Sequence, residues 1–373
     1  KTGLNFKGKL LAKRVELGIY IGSYLVSTVS LEKSLSDWDL DGYPALENPS
    51  NTSKSFLQKM ERHIASDSLP NTHAVLVSKK GEILYENYFS AFTANTVHDM
   101  RSASKSISSA IVGIATDMAL VESVDQSIFD FLPEEYQIHK DRLKAKIDLK
   151  SLLTMSSGLD AIDFGIEKNS VASEDSYQPT PNWTKTILEA PMLREPNQEA
   201  NYGSANPHLL GVAMSNVVSE PLELFMDKHL FVPLGISNYI IQTDISGEAY
   251  FGGGMYLTPR DMLKFGELYL QKGKWKGQQI ISENWVDQSF ENYRVLENTV
   301  DKNGYGYLWW HNTYTYKGKT IKSIEARGAG GQYIFVVPEL ETVVAITSAN
   351  FRNGKFQQPE LIFKNYILPE IFN

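Results

Sequence analysis

A serine and a lysine stand three residues apart in the segment Arg101-Ser102-Ala103-Ser104-Lys105, which leads into a strongly apolar helical pattern. This places Ser102 at or near the first helical turn, with Lys105 on the same side of that turn. A serine hydroxyl is a weak nucleophile until a neighbouring base removes its proton. Burial and the helix dipole disfavour the charged ammonium, so Lys105 is suited to be that base. The pair indicates acyl transfer, with the N–H of Ser102 as an oxyanion donor.

The spacing of this pair is a weak signal by itself. It also occurs in Ser30-Leu31-Glu32-Lys33, and a serine so placed is more often a helix cap followed by a solvated lysine. The context favours Ser102, because it follows a predicted hairpin and opens an apolar helix. It can then lie between a sheet and a helical lobe.

Two further segments carry groups that acyl transfer needs. Tyr202, in Asn201-Tyr202-Gly203-Ser204, could relay a proton to the leaving group; the alternative is a ring that packs at a helix start. The run from Ala326 to Gln332 (ARGAGGQ) precedes a predicted strand. Its glycines would let a substrate approach the backbone and leave N–H groups free, or they form only a turn. The triplet 252–254 (GGG) is interpreted as a structural loop.

Composition excludes several classes of function. The chain has 373 residues, a net charge of -8 and no cysteine, which removes thiol nucleophiles, disulfides and cysteine-bound metals. No basic run interleaved with aromatic residues suggests nucleic-acid binding. The seven histidines form no HExxH pair, so no metal or cofactor is expected. A small-molecule substrate is expected, with no transmembrane segment; an exported or periplasmic location is favoured, and the oligomeric state is left open.

Local patterns predict strands at both ends of the chain and helices between them. The predicted strands form two hairpins, around residues 74–89 and 333–347. Helical spacing marks residues 55–66, 102–120, 149–155, 204–218, 222–230, 258–271 and 359–372. We therefore expect an α+β fold, in which an antiparallel sheet flanked by helices receives an inserted, mostly helical domain. The predicted units are an irregular N-terminal arm (1–55), a sheet domain (56–100 and 305–373) and a helical domain (101–304).

In order and spacing, these segments resemble the serine β-lactamase and penicillin-binding-protein superfamily, in its class C β-lactamase-like branch. Arg101 to Lys105 matches its Ser-x-x-Lys, and Leu152 to Asp160 (LLTMSSGLD) its segment between helices. Tyr202-Gly203-Ser204 falls at its Tyr-x-Asn, and Ala326-Arg327-Gly328 at its Lys-Thr-Gly or His-x-Gly. The runs GAGGQYIFVVPE and YGYLWW look more like the carboxylesterase and nylon-oligomer hydrolase members.

The resemblance implies roles for individual residues. Ser102 would be the nucleophile, Lys105 the base and Tyr202 the proton relay, and the oxyanion would lie between the backbone N–H groups of Ser102 and Ala329. The predicted substrate-binding residues are Ser204, Arg327, Gly328 and Gly330. Two departures weaken the case for a true β-lactamase: Ala326 stands where the family has a cation, and Ser204 where it has the amide-binding asparagine.

Three functions stay open on the sequence. The leading hypothesis is a metal-independent serine hydrolase that cleaves small esters or amides through an acyl-enzyme on Ser102. An alternative is a β-lactamase or D-amino-acid-specific peptidase. The third is a catalytically inactive binding protein on the same scaffold, which a complete Ser, Lys and Tyr set argues against.

Overall fold

The computed structural model describes residues 9–11, 14–21, 24–30, 54–164, 170–244 and 247–372. The strands are β1 Lys9–Leu11, β2 Arg14–Ile21, β3 Tyr24–Ser30, β4 Thr72–Lys79, β5 Glu82–Tyr88, β6 His98–Asp99, β7 Tyr239–Ile241, β8 Met255–Leu257, β9 Lys274–Trp275, β10 Gln278–Gln279, β11 Arg294–Val295, β12 Gly304–Tyr305, β13 Trp310–Tyr316, β14 Lys319–Gly328, β15 Gln332–Val337 and β16 Thr342–Ser348. The α-helices are α1 Lys54–Ala65, α2 Lys105–Asp117, α3 Leu149–Leu153, α4 Glu174–Tyr177, α5 Trp183–Glu189, α6 Ala205–Val217, α7 Leu222–Met226, α8 Pro259–Leu270, α9 Glu283–Ser289, α10 Gln358–Ile362 and α11 Leu368–Ile371.

An eight-stranded antiparallel sheet forms the frame of the molecule, in the order β11-β12-β13-β14-β15-β16-β4-β5. Strand β16 pairs with β4, from Thr342 opposite Lys79 to Ser348 opposite Thr72. This pairing joins the two predicted hairpins into one sheet, as expected from strands at both ends of the chain. The α+β class predicted from the sequence is confirmed.

The central strands are apolar on both faces, because helices cover the sheet on each side. In β15, Ile334 and Val336 pack against the core that contains α2 and α8. Their neighbours Phe335 and Val337 pack on the opposite face, against α1 and the C-terminal helices α10 and α11. This alternation follows from the two-residue period of a strand. It fixes the sheet as a platform between two helical layers.

Two-residue turns with the sequence Lys-Gly connect three of the hairpins. They are Lys80-Gly81 between β4 and β5, Lys276-Gly277 between β9 and β10, and Lys317-Gly318 between β13 and β14. Both residues of each turn have positive φ, from 47° to 80°. That conformation matches the twist of the paired strands and is the reason for glycine at the second position.

The N-terminal residues differ from the irregular arm expected from the sequence. The backbone of β1, β2 and β3 forms a three-stranded antiparallel meander. A second small sheet, in the order β6-β8-β7, was not predicted; its β6 leads directly into the segment of Ser102. Within the described ranges, no single helix has the length and apolarity to cross a bilayer; α6 and the helical stretch Leu222–Phe231 meet those criteria only as a pair bent by 90°.

Candidate active site

Ser102 lies in a tight 3-10 turn, Arg101–Ser104, that leads into α2. Two hydrogen bonds hold the entry to this turn: the N–H of Met100 donates to the Met255 carbonyl (2.9 Å), and the N–H of Arg101 donates to the Asp99 carboxylate (2.9 Å). Arg101 has a φ of 49°, in the left-handed region that is costly for a residue with a side chain. The chain thus reverses sharply just before Ser102, which remains partly exposed.

Lys105 is the first residue of α2, and its side chain is buried. Its Nζ lies 2.8 Å from Ser102 Oγ and 3.0 Å from Ser204 Oγ, and it also donates to the Gly252 carbonyl. The structure therefore brings together the serine and lysine that the sequence paired. The Gly252 carbonyl was missed, because the glycine triplet was interpreted only as a loop.

The pKa of Lys105 is lowered to about 8. Burial is the largest cause, since it penalises the charged ammonium. The carboxylates of Glu174 and Asp163 act in the opposite direction, and the Arg101 guanidinium lowers the pKa further. A substantial fraction of Lys105 is consequently a neutral amine in mildly alkaline solution, which is the state that can accept a proton.

Tyr202 lies directly against this pair. Its ring centroid is 5.1 Å from Lys105 Nζ, and its backbone is held on both sides by Asn298, which accepts from the Tyr202 N–H (2.7 Å) and donates to the Tyr202 carbonyl (3.1 Å). Burial raises the pKa of the Tyr202 hydroxyl well above its usual range, although a hydrogen bond with Ser102 acts in the other direction. The phenol therefore keeps its proton and can pass it on only in exchange for another.

The position after Tyr202 has room only for glycine. A Cβ at this position would lie 1.6 Å from the Ala161 carbonyl oxygen. No side chain fits there without moving the backbone, and the loop of Asp163 would move with it. The glycine thus allows the Tyr202 segment and this loop to approach closely.

Two partly buried carboxylates, absent from the sequence-based set, lie behind Lys105. Asp163 Oδ2 accepts from the hydroxyl (2.6 Å) and the N–H (2.7 Å) of Ser204, and Asp163 Oδ1 accepts from the N–H of Glu174 (2.8 Å). Glu174 in turn accepts from the Tyr250 hydroxyl (2.8 Å). Burial and the neighbouring Glu174 charge raise the pKa of Asp163 to about 6. No local pattern marked these residues, which lie in a loop whose path periodicity does not predict.

Gly328, at the end of β14, packs against the turn of Ser102. A Cβ on Gly328 would lie 2.1 Å from the Met100 carbonyl oxygen and 3.1 Å from the Ala103 nitrogen. The next residues form a tight turn, in which the Gly331 N–H donates to the Gly328 carbonyl (3.2 Å) and Gly330 has a φ of 83°. Ala329, the predicted oxyanion donor, occupies the exposed second position of this turn. It therefore lies beside the nucleophile segment, and its role stays a prediction.

Arg327 points to the opposite face of β14 from Ala326, which packs in the core with α2. The Arg327 guanidinium is buried, with Nε 2.7 Å from Glu325 and Nη1 3.3 Å from Glu360, and it lies 5.0 Å from the Trp310 ring centroid. Two glutamates compensate its charge. The predicted contact of Arg327 with substrate is untested, and so are those of Ser204, Gly328 and Gly330.

Comparisons with known proteins confirm the β-lactamase-like fold predicted from the sequence. The family model described as Beta-lactamase matches residues 56–364. The 6-aminohexanoate-dimer hydrolase of Paenarthrobacter ureafaciens is 22% identical over 298 residues, which cover 74% of this chain and 72% of that protein. Among solved structures, EstCE1, a hydrolase with promiscuous acyltransferase activity, superposes with a TM-score of 0.66 at 15% identity, over 84% of this chain and 98% of that one. A simvastatin synthase variant from Aspergillus terreus gives 0.67 at 14% identity, over 87% and 100%.

Proposed function

The chain belongs to the beta-lactamase family and is a serine hydrolase, and from this premise we propose that it cleaves small esters or amides through an acyl-enzyme on Ser102. The observation that carries the proposal is the contact of Ser102 Oγ with Lys105 Nζ at 2.8 Å. A lysine whose pKa lies near 8 is matched to general-base work close to neutral pH. The class C branch within the family remains part of the proposal.

Acylation begins when the neutral Lys105 amine takes the proton of the Ser102 hydroxyl. The serine oxygen attacks the substrate carbonyl carbon, and the carbonyl electrons move onto oxygen. The N–H groups of Ser102 and Ala329 are the proposed donors to that oxyanion. Collapse of the intermediate breaks the bond to the leaving group. Tyr202 gives its proton to the departing oxygen or nitrogen and recovers one from the Lys105 ammonium.

Deacylation repeats these steps with water as the nucleophile. Water loses a proton to the same Lys105 and Tyr202 pair and attacks the ester carbon. The Ser102 oxygen leaves and takes a proton back. Because Tyr202 stays protonated at rest, each transfer through it exchanges one proton for another, and no free phenolate is required.

The segment Ala326-Arg327-Gly328 favours an ester or linear amide over a β-lactam as the substrate. A β-lactam carries a carboxylate that a free cation can hold. Here Arg327 is buried between two glutamates, Glu325 and Glu360, and Ala326 packs into the core. The name of the Paenarthrobacter relative, 6-aminohexanoate-dimer hydrolase, is consistent with an amide substrate that is not a β-lactam.

Replacement of Ser102 by Ala tests the proposal directly. We expect turnover of p-nitrophenyl esters to fall by roughly a thousandfold or more, because a central member of the catalytic unit is lost. Ser30→Ala is the matched control, since it removes the serine of the other Ser-x-x-Lys segment, and it should leave kcat/KM unchanged. Both proteins are assayed against esters, linear amides and nitrocefin.

The panel also separates the alternatives. Full ester turnover by Ser102→Ala would remove the serine from its role. Nitrocefin hydrolysis faster than ester or amide hydrolysis would favour a β-lactamase. A wild-type protein that turns over no substrate and takes up no fluorophosphonate, judged by intact mass, would indicate an inactive binding scaffold.

A further inference from the structure

The hydrogen-bond partners of Lys105 leave only one direction for its lone pair. The amine has three neighbours: Ser102 Oγ, Ser204 Oγ and the Gly252 carbonyl. A neutral amine has two hydrogens and one lone pair. The Gly252 carbonyl can only accept, so one hydrogen must point to it.

Ser204 decides the position of the second hydrogen. A serine hydroxyl has a single hydrogen, and the nearer acceptor for that of Ser204 is Asp163 Oδ2 at 2.6 Å, against 3.4 Å for Glu174 Oε2. The Ser204 oxygen can therefore only accept from Lys105. The amine's lone pair is then left facing Ser102, which is the geometry a general base needs.

We propose that Asp163, acting through the Ser204 hydroxyl, is a positioning residue that aims the Lys105 lone pair at Ser102. This inference rests on the proposed function and adds to it a residue set that neither the sequence motifs nor the comparisons assign. It gives Ser204 a role in orienting the base, where the sequence predicted a substrate contact.

The Asp163 carboxylate is itself firmly anchored. Its two oxygens accept from backbone N–H groups on separate elements, Ser204 at the start of α6 and Glu174 in α4. The side chain is partly buried, and burial and the Glu174 charge raise its pKa to about 6, while Lys105 and the hydrogen bonds from Ser204 and the Glu174 N–H act against this rise. The carboxyl is therefore ionised near pH 8, where Lys105 loses its proton. Glu174 is held in turn by Tyr250 (2.8 Å) and Gln178 (3.0 Å). The carboxylate therefore has one orientation, which it imposes on Ser204.

The charges in this network affect the pKa of Lys105, which a purely structural role of Asp163 would not do. The charged groups that act on Lys105 are Glu174 and Asp163, which favour its ammonium form, and Arg101, which opposes it. The ring of Tyr202 lies on the remaining side. Loss of the Asp163 charge should therefore lower the pKa of Lys105, while loss of the Ser204 hydroxyl should leave both carboxylates in place.

The experiment compares pH profiles of kcat/KM for ester hydrolysis. In the wild type we expect the acid limb near pH 8, where Lys105 loses its proton. Asp163→Asn should move this limb to lower pH by roughly one unit, because a nearby opposite charge is removed. Its plateau should fall about tenfold or more, since general-base assistance is worth roughly 10²–10⁴-fold. Ser204→Ala should lower the plateau similarly and leave the limb in place.

Glu267→Gln provides the matched control. Glu267 is a buried carboxyl that accepts from a serine hydroxyl, Ser78 Oγ at 2.5 Å, in the core between α8 and the sheet. Its neutralisation should lower the melting temperature without a shift of the limb. A loss of activity that merely follows stability would appear in all three variants.

Two results would overturn the inference. One is an Asp163→Asn enzyme with the wild-type limb and plateau. The other is a Ser204→Ala enzyme with full activity. If Asp163→Asn does not fold, Ser204→Ala decides alone. Failure of the proposed function is distinct, because it would appear as wild-type turnover that persists in Ser102→Ala.

Discussion

At the scale of single residues, Tyr202 combines a packed ring with a hydroxyl that meets Ser102. The ring lies 5.0 Å from Phe164, 5.1 Å from Trp310 and 6.2 Å from Tyr305, measured between centroids. The aromatic neighbours hold the ring, while the proposed proton transfer involves only the hydroxyl. Removal of the hydroxyl oxygen alone therefore separates the packing role of Tyr202 from its proposed chemical role.

Tyr202→Phe should keep the ring in place and lose the proton relay. We expect kcat for amides to fall by roughly 10²-fold or more, and kcat for p-nitrophenyl esters to fall less, because p-nitrophenolate leaves without a proton. The free energy of unfolding should change by less than about 1 kcal/mol. Steady-state kinetics and urea unfolding measure both quantities.

Tyr305→Phe is the control for this substitution. Its hydroxyl is buried without a hydrogen-bond partner among the described residues, so its removal should cost neither activity nor stability. Equal losses for amides and activated esters in Tyr202→Phe would contradict the relay.

The sequence identified the residues whose partners are local or whose motif is distinctive. Ser102 and Lys105 are one helical turn apart, so their contact could be predicted from the spacing together with the apolar helix that follows. Asp163 and Asn298 were missed, because their partners Ser204 and Tyr202 come within reach only when the loops fold. Their side chains have no periodicity, and an isolated Asp or Asn in a polar segment resembles any turn residue.

At the scale of elements, the end of β14 and the turn of Ser102 touch through Gly328. Hairpins with Lys-Gly turns were within reach of the sequence, and β4–β5 was predicted in this way. The hairpin β13–β14 has the same Lys-Gly sequence at Lys317-Gly318, but it was not predicted. The two-residue strand β6 and its partner β8 are too short to show alternation, so the sheet that supports Ser102 could be seen only in the structure.

Gly328→Ala should separate these two elements. The new methyl group would lie 2.1 Å from the Met100 carbonyl oxygen, a backbone atom that cannot rotate away. We expect a loss of stability of about 1–3 kcal/mol from overpacking and a large fall in kcat. Thermal unfolding and ester hydrolysis, normalised to folded enzyme, give the two effects.

Gly266→Ala in α8 is the matched variant. Its Cβ would lie 2.4 Å from Val343 Cγ1 and 2.8 Å from Ile334 Cγ2, between α8 and the sheet. It should lose comparable stability and retain activity per folded molecule. If both variants kept activity, the contact at Gly328 would be unimportant for the site.

At the scale of the whole molecule, buried titratable groups link stability to pH in opposite directions. Burial lowers the pKa of His208 to about 4, with Asp244 acting against this. Between about pH 6.5 and pH 4, His208 is protonated in the unfolded chain but stays neutral in the folded protein. This histidine therefore lowers the free energy of unfolding as the pH falls towards 4. Asp163 has the opposite effect, because its pKa is raised.

His208→Gln isolates one of these contributions. Its stability deficit relative to the wild type should shrink by roughly 2 kcal/mol between pH 7 and pH 4.5, since each pH unit below 6.5 costs the wild type about 1.4 kcal/mol through this histidine. Urea unfolding at several pH values provides the comparison. A deficit that is constant with pH would show that folding leaves the pKa of His208 unchanged.

The pairing of β16 with β4 has a consequence for synthesis on the ribosome. The first hairpin of the sheet emerges early, but its neighbour β16 and the strand end that faces Ser102 are made near the finish of translation. Such distant partners make folding slow and expose β4 as an unpaired edge in the meantime. A nascent chain stalled before β14 should therefore hold its serine and lysine without a completed cleft, and would need protection from aggregation until release.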